Sequence, residues 1–261
     1  MTKKLDSLGL ALYEDGPEDG PVLVLGHALG GTWRIWDQAV SSLVSKFRVI
    51  RWDLPGHGDS KTLEAPRTMG HVADLLVSAL EQVGIVKFHV GGISFGGTAS
   101  LSVAQKYPEK VLSLAMLDSG VSSGDSATWV QRAALVRQRG TEAIVDDTME
   151  RWFTEDFVNG PGRDIYEEIR TAYIGQDREG FAACCDVLAV TDLGSAPATV
   201  KVPVLILSGE KDAGMTPKMV DELGDLFVNC TISKVIVPGL KHLTCVEAPL
   251  LVANAIADNA N

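Results

Sequence analysis

Phe88-His89-Val90-Gly91-Gly92-Ile93-Ser94-Phe95-Gly96-Gly97-Thr98-Ala99-Ser100 is the stretch on which the reading of this chain turns. Phe88 to Val90 reads as a strand. A helix, with small residues from Gly96 onward, is expected from Phe95 to Tyr107 and is stopped by Pro108. Between them, Gly92-Ile93-Ser94-Phe95-Gly96 matches G-x-S-x-G. Such a short motif is common by chance. Its setting, directly after a strand and directly before a helix, makes it specific. A serine on so sharp a turn has its hydroxyl thrust clear of the chain. Bulky neighbours would clash there, so Gly92 and Gly96 leave room. The helix N-terminus at the serine favours developing negative charge. Ser94 is the expected nucleophile.

Outward from this segment, short apolar runs alternate with helical patterns. Val22 to Leu25, Arg48 to Trp52, Val111 to Leu117, Val204 to Leu207 and Lys234 to Val237 read as strands. Several are nearly unbroken Val, Ile and Leu, as in strands covered on both faces. Leu8 to Tyr13 and the Val22 strand flank Glu14-Asp15-Gly16-Pro17, a turn signal that predicts an antiparallel hairpin at the sheet edge. Met69 to Val83 carries Met69, Val72, Leu76, Ala79, Leu80 and Val83 on one stripe. Pro217 opens a further helix, and Glu247 to Asp258 reads as the last. The alternation predicts an α/β fold, a mostly parallel twisted sheet flanked by helices. It breaks between about Ser122 and Leu193, where the pattern is helical. The expected organisation is a core domain of residues 1–121 and 193–261 with a helical cap, 122–192, inserted.

The 261 residues are 46% hydrophobic and 22% charged, enough for one large domain, with a formal net charge of −11. That charge repels phosphate backbones, so no nucleic-acid partner is expected. Met1 to Leu8 is polar, and no apolar run approaches the ~20 residues of a membrane span. No membrane association and a cytoplasmic location are the expectation. Cys184, Cys185, Cys230 and Cys245 form no C-x-x-C pair and have no histidine at zinc spacing, so free buried thiols and no metal are expected.

A serine hydroxyl needs a base, and the unperturbed histidine pKa of ~6.5 suits the task. Of five histidines, His242 lies in Pro238-Gly239-Leu240-Lys241-His242-Leu243, between the last strand and the last helix. That loop falls at the C-terminal edge of the sheet, where sites assemble. His57, in a turn-rich loop, reads as structural, His71 as a helix-face residue and His89 as a core residue. The acid that orients the imidazole is expected at Asp212, after the Val204 strand, giving the order Ser, Asp, His. Glu210 reads as a loop-surface charge. Asp118 ends the strand before the cap and is the rival acid. Backbone amides should hold the oxyanion. One is that of Phe95, and the other comes from Gly26-His27-Ala28-Leu29-Gly30-Gly31, at Leu29 or, alternatively, Ala28.

These residues resemble the α/β-hydrolase fold superfamily over nearly the whole chain. The resemblance includes Arg51-Trp52-Asp53-Leu54-Pro55-Gly56-His57-Gly58-Asp59-Ser60, a turn frequent in that family. Within it the chain looks most like 3-oxoadipate enol-lactonases. The similar segments are Trp33 to Asp37, Arg151-Trp152-Phe153-Thr154-Glu155-Asp156-Phe157 and Gly180-Phe181-Ala182-Ala183-Cys184-Cys185. Ile93 and Phe95 at the turn and His27-Ala28 in the glycine loop depart from that group, so a different acyl substrate is allowed. The resemblance implies an acyl-enzyme route on a small-molecule lactone or ester, with no cofactor; a homo-oligomer is allowed. An enol-lactone is itself a carboxylate and needs a cationic or hydrogen-bonding anchor, for which Arg34, Arg132, Arg137 and Arg151 are candidates. Trp129 and Trp152 either line the pocket or pack the cap. The same triad would serve a cofactor-free haloperoxidase or perhydrolase, or a C–C bond hydrolase. A ligand-binding receptor that kept the fold is the reading from another class.

Overall fold

Six strands run parallel: β3 (Val22–Gly26), β4 (Arg48–Trp52), β5 (Phe88–Ile93), β6 (Val111–Leu117), β7 (Val204–Gly209) and β8 (Ile232–Val237). With the antiparallel β1 (Lys3–Leu5) and β2 (Leu12–Asp15) they form one eight-stranded sheet in the order β1-β2-β4-β3-β5-β6-β7-β8. This structure, a computed structural model, describes residues 2–5, 7, 9–62 and 67–261. β5 and β7 are buried at every position, as their unbroken apolar runs require when helices cover both faces.

The order reverses at β3. The chain leaves β3 through α1 (Asp37–Leu43) to β4 on one side, then returns through α2 (Met69–Gln82) to β5 on the other. Right-handed crossovers in opposite directions place α1 on one face and α2 with α3 (Phe95–Lys106) on the other. α9 (Pro217–Leu226) follows β7, and α11 (Pro249–Asn259) packs on α1 and so shares its face. Such a reversal opens a crevice beyond the C-terminal strand ends. There the Gly26 end of β3 pairs with Gly92 of β5, which brings the loop after β3 beside the turn after β5.

Two details differ from the sequence expectations. β2 does not form a hairpin with β3; it pairs antiparallel with β4. Both edges of β3 are taken by the parallel partners β4 and β5, so β2 is displaced past β4. Ion pairs hold it there, Arg48 to Glu14 at 2.9 Å and Arg51 to Asp15 at 2.6 Å. The predicted strand began at Leu8, which lies outside the described residues. The last helical stretch is two helices, α10 (Thr244–Glu247) and α11, because Pro249 supplies no amide to continue the first and starts the second.

Between β6 and β7 stand five helices: α4 (Ser126–Arg139), α5 (Val145–Trp152), α6 (Glu155–Asn159), α7 (Arg163–Ile174) and α8 (Arg178–Ala189). At the neck of this insertion an isolated antiparallel bridge joins Ser122 to Asp192, and the Leu193 amide donates to the Val121 carbonyl at 2.8 Å.

The turn after β5 is held by glycine contacts. A Cβ on Gly96 would sit 2.5 Å from the Gly26 carbonyl oxygen, and one on Gly92 would sit 2.5 Å from the Gly96 carbonyl carbon. Neither neighbour is a side chain that could swing away. Gly96→Ala is therefore expected to cost about 2–3 kcal/mol of stability, the range of overpacking a close-packed site. A urea unfolding midpoint equal to that of the wild type would refute the close approach.

Candidate active site

Ser94 stands between β5 and α3 at φ +56°, ψ −119°. Only one other described non-glycine residue, Asp118, has a positive φ. Such a conformation costs on the order of 1–3 kcal/mol and persists only where its surroundings enforce it. Here the Ser94 amide donates to the Leu117 carbonyl at 2.9 Å, and its carbonyl accepts from the Thr98 amide at 3.1 Å. The backbone is pinned on both sides. The hydroxyl makes no hydrogen bond among the described residues.

His242 and Asp212 are brought together. His242 Nδ1 lies 2.8 Å from Asp212 Oδ2, with Asp212 buried. A proton on Nδ1 serves that bond and leaves Nε2 with its lone pair. Asp212 Oδ1 accepts from the Gly214 amide at 2.8 Å. The two loops are knit together, since Lys211 N donates to Leu240 O at 2.7 Å. Burial opposes charge on both groups. Mutual attraction and the hydrogen bond outweigh it, raising the His242 pKa above the usual imidazole range and holding Asp212 below the usual carboxylate range. Asp118, the rival acid, does not bond to His242. Its carboxylate bonds to Gly209 and Thr244 instead. Glu210 is exposed and accepts from the Gly239 amide.

Leu29 lies in the loop after β3 and Phe95 opens α3 after β5, and neither amide has an acceptor among the described residues. The loop bearing Leu29 is clamped. The Gly30 amide donates to His57 Nε2 at 3.0 Å, and Gln176 Nε2 donates to the Gly30 and Gly31 carbonyls at 3.3 and 3.2 Å. The Leu54 amide donates to His27 Nε2 at 2.9 Å. Both imidazoles must be neutral to accept, and burial enforces that, lowering His27 to about 4 and His57 to about 3. Tyr173 lies on Gly30 so closely that a Cβ there would meet its ring Cδ2 at 2.5 Å. Sequence reasoning did not single out His57, Gln176 or Tyr173 for this clamp. His57 was legible only as part of a turn, and the other two, Tyr173 on α7 and Gln176 in the bend after it, are distant in sequence. His89 is a core residue, its Nδ1 2.9 Å from Ser113 Oγ.

The candidate anchors separate sharply. Arg34 is largely exposed, 3.6 Å from Asp37 and over the Trp33 ring. Arg137 is committed to Glu179 and Asp186, at 2.8 and 2.6 Å. Arg132 and Arg151 have no carboxylate within ion-pair distance among the described residues. Arg132 lies over the Trp129 ring. Arg151 donates to the Asp147 carbonyl and, at 3.5 Å, approaches Thr148 Oγ1, which is 3.2 Å from the Tyr173 hydroxyl. Lys241 Nζ to Glu150 O at 2.7 Å and Leu243 N to Trp152 O at 3.2 Å fasten the end of α5 to the His242 loop. Burial, then the neighbouring Arg132, lowers the Arg151 pKa. Trp152 is buried edge-on to Phe153 and Tyr173 and packs the insertion; the Trp129 indole donates to Ser123 O at 2.6 Å.

Among the described residues no group of His, Cys, Asp and Glu is placed to hold a metal ion, and no helix is long and apolar enough to cross a membrane. A groove of about 750 Å³ along β8 and α11, lined by Leu205, Val235, Leu250 and Leu251 among others, shares no residue with this site.

Sheet order, strained serine turn and paired acid and imidazole at the strand ends together define an α/β hydrolase. Residues 21–150 match the family model of the α/β hydrolase fold, and the chain belongs to that family of enzymes. It is similar to 3-oxoadipate enol-lactonase 2 of Acinetobacter baylyi, 28% identical over 92% of this chain and 89% of that one. 3-oxoadipate enol-lactonase 1 of the same organism is 27% identical, covering 92% and 88%. The crystal structure of the enol-lactonase from Burkholderia xenovorans LB400 superposes with a TM-score of 0.91 at 26% identity, covering 98% of this chain and 99% of that one.

Proposed function

We propose that this chain is a serine hydrolase that opens a lactone or cleaves a carboxylic ester through an acyl-enzyme, with 3-oxoadipate enol-lactone the favoured substrate. The observation that carries the reading is the Asp212–His242 pair, its carboxylate buried, in a chain that also holds a serine in a strained strand-to-helix turn. Ser94 Oγ attacks the carbonyl carbon while His242 Nε2 takes its proton, and Asp212 stabilises the imidazolium. The Leu29 and Phe95 amides, both without acceptors among the described residues, receive the negative charge on the carbonyl oxygen. The imidazolium returns its proton to the departing enolate or alkoxide. Water, deprotonated by His242, then releases the acid and restores Ser94. Residues 122–192 act as the cap. A cytoplasmic location suits the four cysteines, all free.

A carboxylate-bearing substrate is favoured over a neutral ester by Arg132 and Arg151. Two arginines without anionic partners among the described residues, one between Glu150 and Trp152, which bond to the His242 loop, leave positive charge unspent in a chain of net charge −11. Wild type and Arg151→Gln should be assayed on the enol-lactone and on p-nitrophenyl acetate. Arg151→Gln is expected to raise KM for the lactone about tenfold, the loss of one charged hydrogen bond, with little change on the neutral ester. Equal effects on both would remove the anchor. A wild type active on the ester alone would remove the lactone, and turnover of neither, with peracid formation or C–C cleavage instead, would replace the reaction.

A further inference from the structure

Asp118 takes no part in the mechanism above, yet three segments of the site meet on its carboxylate and backbone. It follows β6 directly, is buried, and adopts φ +46°. An L-residue is strained there, aspartate and asparagine less than most. The surroundings enforce it. The Asp118 amide donates to the Leu207 carbonyl at 2.8 Å, and the preceding carbonyl, of Leu117, accepts from the Ser94 amide. Asp118 Oδ1 accepts from the Gly209 amide at 2.9 Å, and Oδ2 accepts from the Thr244 hydroxyl at 2.5 Å. Ser208 Oγ lies 3.1 Å from Oδ1 and 2.7 Å from the Met215 carbonyl, serving one of them at a time. Gly209 leads into the Asp212 loop, and Thr244 is the second residue after His242.

We propose that Asp118 is a positioning residue of the His242 base: it ties the acid segment and the base segment to the Ser94 turn, and its negative charge joins that of Asp212 in stabilising the imidazolium. The inference rests on the reading of His242 as the base. The Gly209 amide can only donate, so Oδ1 is held as an acceptor. The charged groups facing the imidazole are Asp212 from the loop after β7, Asp118 from the end of β6 and Arg151 from α5. Those facing Asp118 are Asp212, His242 and the Cys245 thiol of α10. Burial and then Asp212 raise the Asp118 pKa to about 7, against the pull of His242, Thr244 and Gly209, so the carboxylate carries its charge from about neutral pH upward. Removing this charge leaves burial and Arg151, which both oppose the imidazolium, against Asp212 alone. The His242 pKa then falls.

The rate at which a fluorophosphonate labels Ser94, followed by mass spectrometry over about pH 4 to 9, reads the base without any substrate. Labelling needs neutral His242, so the rate rises through the His242 pKa and levels off. Asp118→Asn keeps the size and tolerates the backbone while losing the charge. It is expected to move the acidic limb down by about half a pH unit to one unit and to lower the plateau on the order of tenfold. A limb that stays in place, whatever happens to thermal stability, overturns the role for Asp118 and leaves the serine hydrolase standing. A wild type unlabelled at Ser94 overturns both. If Asp118→Asn does not fold, Thr244→Val makes the same test. It removes a donor that keeps Asp118 ionised, so the limb shifts the same way by a smaller amount, and an unmoved limb again overturns the role.

Discussion

Ser94→Ala lowers turnover of enol-lactone and of p-nitrophenyl acetate at least about 10³-fold, within the range of triad deletions. The reason lies in what the substitution leaves alone. The strained backbone of residue 94 is held through its amide, to Leu117, and its carbonyl, from Thr98, while the hydroxyl bonds to nothing among the described residues. Alanine keeps the Cβ and therefore the same strain. Only the attacking oxygen is lost, so urea unfolding of the variant should match the wild type and the loss is chemical. The Leu29 and Phe95 amides and the bound geometry remain, which accounts for any residual rate above that in water. A variant that keeps more than about a tenth of the activity would mean that another group, or water positioned by His242, does the attacking.

How much of this was readable in the residues depended on the distance over which each signal acts. The β4 and β6 strands, and the helix start at Phe95, follow from local apolar runs and from a serine turn whose glycines are required by backbone contact. Asp212 and His242 were legible because strand order fixes which loops meet at one edge. The edge hairpin failed because a turn signal says that the chain reverses, not which strand receives it; that was settled by Arg48 and Arg51 pairing with Glu14 and Asp15. The clamp on the oxyanion loop was invisible for a similar reason. Gln176 reaches Gly30 across 146 positions, and nothing near residue 176 marks it. Among the arginines, composition offered four equal candidates. Only the carboxylates beside each, present for Arg34 and Arg137 and, among the described residues, absent for Arg132 and Arg151, tell a spent charge from an available one.

Asp212→Asn should cost between about 10³- and 10⁴-fold in kcat/KM at neutral pH. Asparagine retains the shape but presents either a weaker acceptor or an amide donor to His242 Nδ1. In the second case the ring carries its proton on Nε2, where it cannot take one from Ser94. The pH dependence carries a further signature. In the wild type Asp212 raises the His242 pKa, so the acidic limb of kcat/KM stands above the usual imidazole value. In the variant burial prevails and the limb moves to lower pH. Stability follows the same ionisations with a definite sign. His242, raised on folding, contributes fully below the unfolded pKa of about 6.5 and loses that contribution as pH rises through its folded value. Asp212, lowered on folding, contributes above about 3.9 and loses it as pH falls through its folded value. The stability gap between wild type and Asp212→Asn is therefore widest between about pH 4 and 6.5 and narrows toward pH 9. Urea titrations at about pH 5.5 and 8.5 measure it. A gap that is the same at both, or wider at the higher pH, would mean that the 2.8 Å contact between Asp212 and His242 is not an ion pair in the folded protein.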